Sequence, residues 1–340
     1  MACQSDFNIN LMFSTILAAH LLMRKTTPNK TLLFIGNTPN YLYHIVRQNG
    51  RNAISVPFSG RPYDVNRTSK LTLVPTPSQI ENYTKLLASL GVTAELVSSE
   101  NIILVDFTPS GKSSKAFVET LRNCFKLGKV PIDMILVFGT SLTTDPRDRY
   151  LQLMKMIDHS YINIIGILGW SYLDKVANDK YPRTVPFYPV SEWNNPPKVI
   201  EDTSCLDKLL YFYNLLLCSE AIAGGGCTAS QPVAAEEGVL YDFIIENWPA
   251  DTRWNKPKQS YLNEVANAPK NKENAIRLFL KMYRNNFIEG KVTFTPDFTE
   301  ASNLRDEEIA LLFPGLGGRR RKYTRKMKRS GKKRSKRRCS

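Results

Sequence analysis

Histidine is scarce in this chain: three in 340 residues, at His20, His44 and His159. Six cysteines (Cys3, Cys124, Cys205, Cys218, Cys227 and Cys339) include no CxxC pair, so the ligand spacing of a zinc site is missing. Their irregular placement reads as scattered thiols in a reducing compartment. No apolar run reaches the roughly 20 residues of a membrane-spanning helix. The run 11–23 is interrupted by His20, and its charges, Arg24 and Lys25, follow it, which is not the order of a secretory signal. The run 209–218 contains Asn214. Both read as buried helices of an intracellular protein with no membrane span. No Ser-His-Asp arrangement is recoverable from the spacing of three widely spread histidines, and no acid pair has a spacing that suggests general acid/base work.

Net charge is also missing from most of the chain. Of 46 basic residues, 14 fall between Arg319 and Arg338, where there is no acid, leaving 32 basic against 31 acidic elsewhere. The formal charge of +15 therefore belongs to the tail, and a wide basic nucleic-acid face on the body loses its compositional support. The body is 1–316; with 42% hydrophobic residues over the whole chain, it has material for a large core.

The tail, 317–340, reads as disordered and low in complexity. Its cations are Arg319, Arg320, Arg321, Lys322, Arg325, Lys326, Lys328, Arg329, Lys332, Lys333, Arg334, Lys336, Arg337 and Arg338. Such a density cannot collapse and seeks a polyanion, with nucleic acid the leading partner. Only Tyr323 offers stacking, so sequence-specific readout is not expected. Gly-Gly-Arg-rich carboxyl tails of this kind resemble those on proteins of large cytoplasmic DNA viruses. That likeness implies a host cytoplasm or virion location, and the basic run is also compatible with the nucleus.

The body reads as alternating strands and helices. A helix is expected over 9–24, strands at 32–35, 53–58, 102–105, 133–139 and 162–168, and helices over 78–90, capped by Ser78, over 114–127 and over 145–158. Several strands are continuous apolar runs, as in parallel sheets covered by helices on both faces. The pattern predicts an α/β domain with a doubly wound, mostly parallel sheet over 1–200, its core at 30–170. A mainly helical region follows over 201–316, with helices at 206–222, 237–247, 259–266, 271–286 and 305–312, and a short added strand in KVTFTP. Between 171 and 200, prolines alternate with Tyr172, Tyr181, Tyr188 and Trp193. This reads as an irregular excursion over the sheet, suited to an aromatic hood above a base.

Ligands of such sheets bind outside the carboxyl ends of the strands. Polar, glycine-containing loops fall there after Ile35, Phe58 and Val105. The third, in NIILVDFTPSGKSSKAF (101–117), is the most informative. Gly111, Lys112 and Ser113 match the second half of a nucleotide P-loop, but the first glycine of GxxxxGK[ST] would fall at Asp106. A different chemistry fits better. Amides of Thr108, Pro109's neighbours, Ser110, Gly111, Lys112 and Ser113 can converge on a 5′-phosphate at a helix amino terminus. Gly111 permits close approach, the hydroxyls of Thr108, Ser110 and Ser113 add donors, and the Asp106 carboxylate can accept from ribose hydroxyls.

These residues resemble the sugar-phosphate loop of type I phosphoribosyltransferases: a hydrophobic strand, acids, a spacer, then Thr-Gly-x-Thr before a helix. Asp106 matches the second acid, Ser110 and Gly111 the Thr-Gly pair, and Ser113 the last Thr. Over about 30–170 the resemblance implies a phosphoribosyltransferase-like fold that binds phosphoribosyl pyrophosphate or a nucleotide 5′-phosphate. It implies possible transfer of the phosphoribosyl group, with Mg2+ as cofactor and Asp106 as the catalytic residue. The segment Gly36, Asn37, Thr38 and Pro39 is similar to the family's pyrophosphate loop, Arg61 is a candidate for a further phosphate contact, and Trp170 and Tyr172 stand where the family often stacks its base. The pattern departs at Val105, where the family has its first acid, and at Asn37, where related loops carry arginine. These departures favour an alternative: a catalytically inactive viral structural or accessory protein that binds nucleic acid through its tail.

Overall fold

The apolar runs form buried strands. The structure is a computed structural model and describes residues 7–63, 74–107, 112–128, 132–139, 162–167, 181–224, 239–248, 258–259, 262–263 and 293–294. Strands β1 (Thr31–Ile35), β2 (Ala53–Val56), β3 (Ile102–Phe107), β4 (Asp133–Gly139), β5 (Ile162–Ile167) and β6 (Thr293–Phe294) make one sheet in the order β2-β1-β3-β4-β5-β6. All pairs are parallel except β5 with β6. Every residue of β3 is buried, as a central strand covered on both faces requires. The expected added strand is β6. The expected helices over 145–158, 259–266, 271–286 and 305–312 lie wholly or mostly outside the described residues.

The helices are α1 (Ile9–Lys25), α2 (Asn40–Gln48), α3 (Pro77–Ser89), α4 (Ala94–Ser98), α5 (Lys112–Phe125), α6 (Ser204–Gly224) and α7 (Val239–Glu246). The chain steps from β1 to β2 in one direction, then returns past β1 to β3. Right-handed crossovers therefore put α2 on one face and α3 with α5 on the other. Packing agrees: α1 and α6 meet α2, while α3 meets α5. The side chains of α6 and α7, among them Phe212, Tyr213 and Ile244, join the same hydrophobic cluster as the sheet.

Several ends differ from expectation. Thr76, not Ser78, caps α3: its hydroxyl accepts from the Gln79 amide while the Gln79 side chain accepts from the Thr76 amide, with Pro77 in the first turn. Helix α4 was not anticipated; Thr93 caps it through the Leu96 amide. Strand β3 runs two residues beyond Val105, and α5 begins at Lys112 rather than Ser114. Cys205 is disulfide-bonded, whereas Cys124 is a buried free thiol. The partner of Cys205 lies outside the described residues. It is not Cys218, which sits on α6 itself, about 20 Å further along the axis. A disulfide is uncommon in a reducing compartment, so the scattered-thiol expectation fails at this position.

The run 11–23 is the buried body of α1, with Met12, Ala19 and Leu22 fully covered. No helix among the described residues is long and apolar enough to cross a membrane.

Candidate functional site

The strand order reverses between β1 and β3, and in sheets of this kind a ligand crevice opens at the carboxyl ends flanking such a reversal. Phe34 of β1 is level with Val105 of β3, and Ile35 is level with Val56 of β2. The loops after β1, β2 and β3 therefore leave the sheet side by side. Sequence reasoning singled out these same three loops.

Asp106 lies inside β3, paired in register with Leu136, and only 5% of it is exposed. Its Oδ2 accepts from the hydroxyls of Ser114 (2.5 Å) and Ser113 (3.2 Å) on the first turn of α5, and the Phe107 amide also donates to the carboxylate. Burial pushes its pKa up to about 7, against the opposing pull of those three hydrogen bonds. The carboxylate thus ties the end of β3 to the start of α5. Ser114 was missed by sequence reasoning; its place one residue beyond the motif gave no signal. Lys112 is exposed and Ser113 half-buried. Thr108, Pro109, Ser110 and Gly111 lie outside the described residues, as do Trp170, Tyr172 and the cationic tail from Arg319 to Arg338. Val105 is fully buried in the core.

On the other side of the reversal, Gly36 takes φ +68° and its amide donates to Val56 O (2.9 Å). A Cβ there would meet the Phe58 carbonyl oxygen at 2.8 Å, so the loops after β1 and β2 touch backbone to backbone. Asn37 is 7% exposed; its Oδ1 accepts the Thr184 amide (2.9 Å), and its Nδ2 is buried with no partner. Thr38 is half-buried and Pro39 buried, and Pro39 begins α2 without a side-chain cap or an acid in the first turn. Asn40, 1% exposed, donates from Nδ2 to Thr184 O (3.0 Å) and Thr184 Oγ1 (2.9 Å) and accepts from Ser55 Oγ. Burial holds His44, 3.3 Å from Asn40 Nδ2, below the usual histidine range. Arg61, half-buried, follows β2.

Thr184 belongs to a strap, 181–193, that lies over the ends of β1 and β2. Tyr41 donates to Pro182 O (2.9 Å), and the Tyr188 amide donates to Ser59 Oγ (3.1 Å). The Tyr83 ring stacks on Trp193 at 4.2 Å between centroids and on Tyr188 at 6.1 Å. Tyr181, Tyr188 and Trp193 are each at least 97% buried. They are core side chains that fasten the strap to α2 and α3, not a hood presented to a ligand. Asn40 and Thr184 were missed because the contact that joins them spans 144 positions.

At the carboxyl ends of β1, β2 and β3, the described residues offer one carboxylate, and its oxygen already accepts two hydroxyls. No group of three or more His, Cys, Asp or Glu among the described residues is placed to hold a metal ion. The residues described do not make a magnesium site of their own.

The chain matches no protein-family model, no curated protein and no solved structure.

Proposed function

We propose that the chain binds a phosphoribosyl compound, either phosphoribosyl pyrophosphate or a nucleotide 5′-phosphate, in a phosphoribosyltransferase-like α/β domain. The observation that supports this most directly is the reversal between β1 and β3. It sets the Gly36–Asn37 loop beside the strand that leads, through DFTPSGKS, into the first turn of α5. The 5′-phosphate lies on the loop amides before α5, where the helix dipole favours an anion. In this proposal Asp106 organises that turn through Ser113 and Ser114.

If the site turns over, the bond from ribosyl C1 to the pyrophosphate oxygen breaks, a bond from C1 to the acceptor nucleophile forms, and the acceptor loses its proton. The protein's part would be to hold the cationic sugar and the leaving group.

A second reading, a non-catalytic nucleic-acid-binding protein, is favoured by the internal commitment of the site's polar atoms. Asp106 Oδ2 is held by two serines and Asn37 Oδ1 by Thr184, while 14 cations crowd the tail.

Isothermal titration calorimetry of the full chain with phosphoribosyl pyrophosphate plus magnesium, and with nucleoside 5′-monophosphates, tests the first reading. Binding that disappears in a folded Gly111→Trp variant is expected. Wild-type protein that binds none of these ligands, or a variant that binds them equally well, overturns it.

A further inference from the structure

We propose that Cys205 is bonded to Cys3, and that this disulfide is a redox-dependent clamp holding the amino-terminal segment against the strap and the start of α6. The clamp stands apart from the phosphoribosyl reading and holds whether or not a ligand binds.

Chain geometry removes most other partners. Cys205 is disulfide-bonded and fully buried in the first turn of α6. Cys124 is a free thiol, and Cys218 lies too far along the same helix. The same axis excludes Cys227. From Cys205 to Gly224, the last residue of α6, the rise is about 29 Å. The three residues from Gly224 to Cys227 can bring the chain back by about 11 Å at most, whereas a disulfide needs Cα atoms within about 7 Å. Cys3 and Cys339 remain.

Two observations select Cys3. Lys208, one turn beyond Cys205, donates from Nζ to Phe7 O (3.2 Å), so Phe7 lies beside the start of α6. Cys3 is four residues before Phe7, a reach of up to about 14 Å. The second is Asp202, two residues before α6. Its carboxylate is held below its usual range by hydrogen bonds from the Ser204 hydroxyl and amide, and the positive amino terminus of the chain adds to that pull. The start of the chain therefore lies near the residues that lead into α6. The nearest described residue before Cys339 is Phe294, 45 positions earlier, and closing so long a tether costs more entropy than closing a four-residue one.

Phe7 is what the clamp grips. It is fully buried, edge-on to Tyr181 at 5.1 Å between centroids and tilted against Tyr41 at 5.7 Å. Tyr181 opens the strap, and Tyr41 donates to the carbonyl of Pro182. On its other side the Ile9 amide donates to Asn247 O (2.8 Å), at the end of α7. A bond from Cys3 to Cys205 therefore ties down the chain ahead of Phe7, and reduction removes that hold at the point where the strap begins. The cross-link closes a loop 202 positions long, and long loops are those whose closure restricts the unfolded chain most. The oxidant is a low-molecular-weight disulfide such as oxidised glutathione. One cysteine thiolate attacks it and releases one thiol; the other thiolate then displaces the second. The protein loses two thiol hydrogens, and the oxidant becomes two thiols. A dithiol reductant reverses the exchange.

The full chain is equilibrated with oxidised glutathione, its remaining thiols are alkylated, and tryptic peptides are mapped by mass spectrometry without reduction. Peptide 1–24, which holds Cys3, should be joined to peptide 199–208, which holds Cys205, with Cys124 alkylated. Hydrogen exchange then compares oxidised protein with protein held in dithiothreitol. Exchange over 181–193 should rise at least tenfold on reduction, because the Thr184 and Tyr188 amides latch the strap to Asn37 and Ser59, while β3 stays protected. The melting temperature should fall by on the order of 10 °C. Cys3→Ser in oxidised glutathione should exchange and melt like the reduced wild type, and Cys339→Ser like the oxidised wild type. Peptide 199–208 joined to any other cysteine peptide, or alkylated as a free thiol, overturns the proposal. So does strap exchange that is equal in the two redox states, or a folded Cys3→Ser that matches the oxidised wild type. Mapping and exchange on the wild type need no variant, so a poorly folded Cys3→Ser leaves the test intact.

Discussion

Replacing Gly36 by alanine puts a methyl carbon 2.8 Å from the carbonyl oxygen of Phe58. The obstacle is backbone, so no side chain can swing aside. The residue also sits at φ +68°, where an L side chain costs about 1–2 kcal/mol. Relief requires the loops after β1 and β2 to separate, which loosens the hydrogen bond from the Gly36 amide to Val56 O, worth about 1 kcal/mol. The combined destabilisation should be about 2–4 kcal/mol. Gly50→Ala is the internal comparison: φ is +73°, but nothing lies within 4 Å of its Cβ position, so only the conformational cost of about 1 kcal/mol applies. At about 2–4 °C per kcal/mol, Gly36→Ala should lower the melting temperature by on the order of 10 °C and Gly50→Ala by about 3 °C. Thermal melts followed by circular dichroism measure both. Equal shifts for the two variants would refute the claim that close approach, beyond φ alone, fixes the glycine at 36.

Asp106 keeps its proton to about pH 7 in the folded chain, against about 4 when unfolded. The folded state binds the extra proton between those values, so the stability contributed by this group falls as pH rises from about 4 to 7 and is level above. Asp106→Asn should remove that slope. A wild-type-minus-variant difference in melting temperature that stays constant from pH 4 to 8 contradicts the assignment. Trp193→Ala deletes the ring stacked on Tyr83 and should cost about 3–5 kcal/mol, read as a lowered urea midpoint; a change under about 1 kcal/mol would show that the strap is not anchored there. Deleting 319–340 should flatten the salt dependence of DNA binding. The intact chain's plot of log K against log salt is expected to slope on the order of −5 to −10, and the truncated chain's near zero. Equal slopes would place the nucleic-acid contacts outside the tail.

The frame of the sheet was legible because parallel strands covered on both faces are written as continuous apolar runs, and LLFI, IILV and MILVFG stand out as such. Ends were less legible. Asp106 looks like the first loop residue, since acids are depleted in strands. Pairing of Asp106 with Leu136 and Phe107 with Val137 nevertheless extends β3 past it. Ser78 looked like a cap because a helical pattern follows it, but the reciprocal Thr76–Gln79 bonds win. The strap's use of its aromatics was hidden for another reason. Whether Trp193 covers a ligand or fills a core depends on Tyr83, 110 positions earlier, and nothing local encodes that meeting. The placement of the three candidate loops could be read from the chain; the commitment of Asp106 to Ser114 and of Asn37 to Thr184 could not.

The hydrogen bond between Asn37 and Thr184 also has a temporal side. Its partners are 147 positions apart. At a synthesis rate of about 5–20 residues per second, roughly 7–30 s pass between the ribosome's addition of one and of the other. Throughout that interval the ends of β1 and β2 stand on the nascent chain without the strap that covers them in the folded protein, so this corner of the fold is closed only late in synthesis.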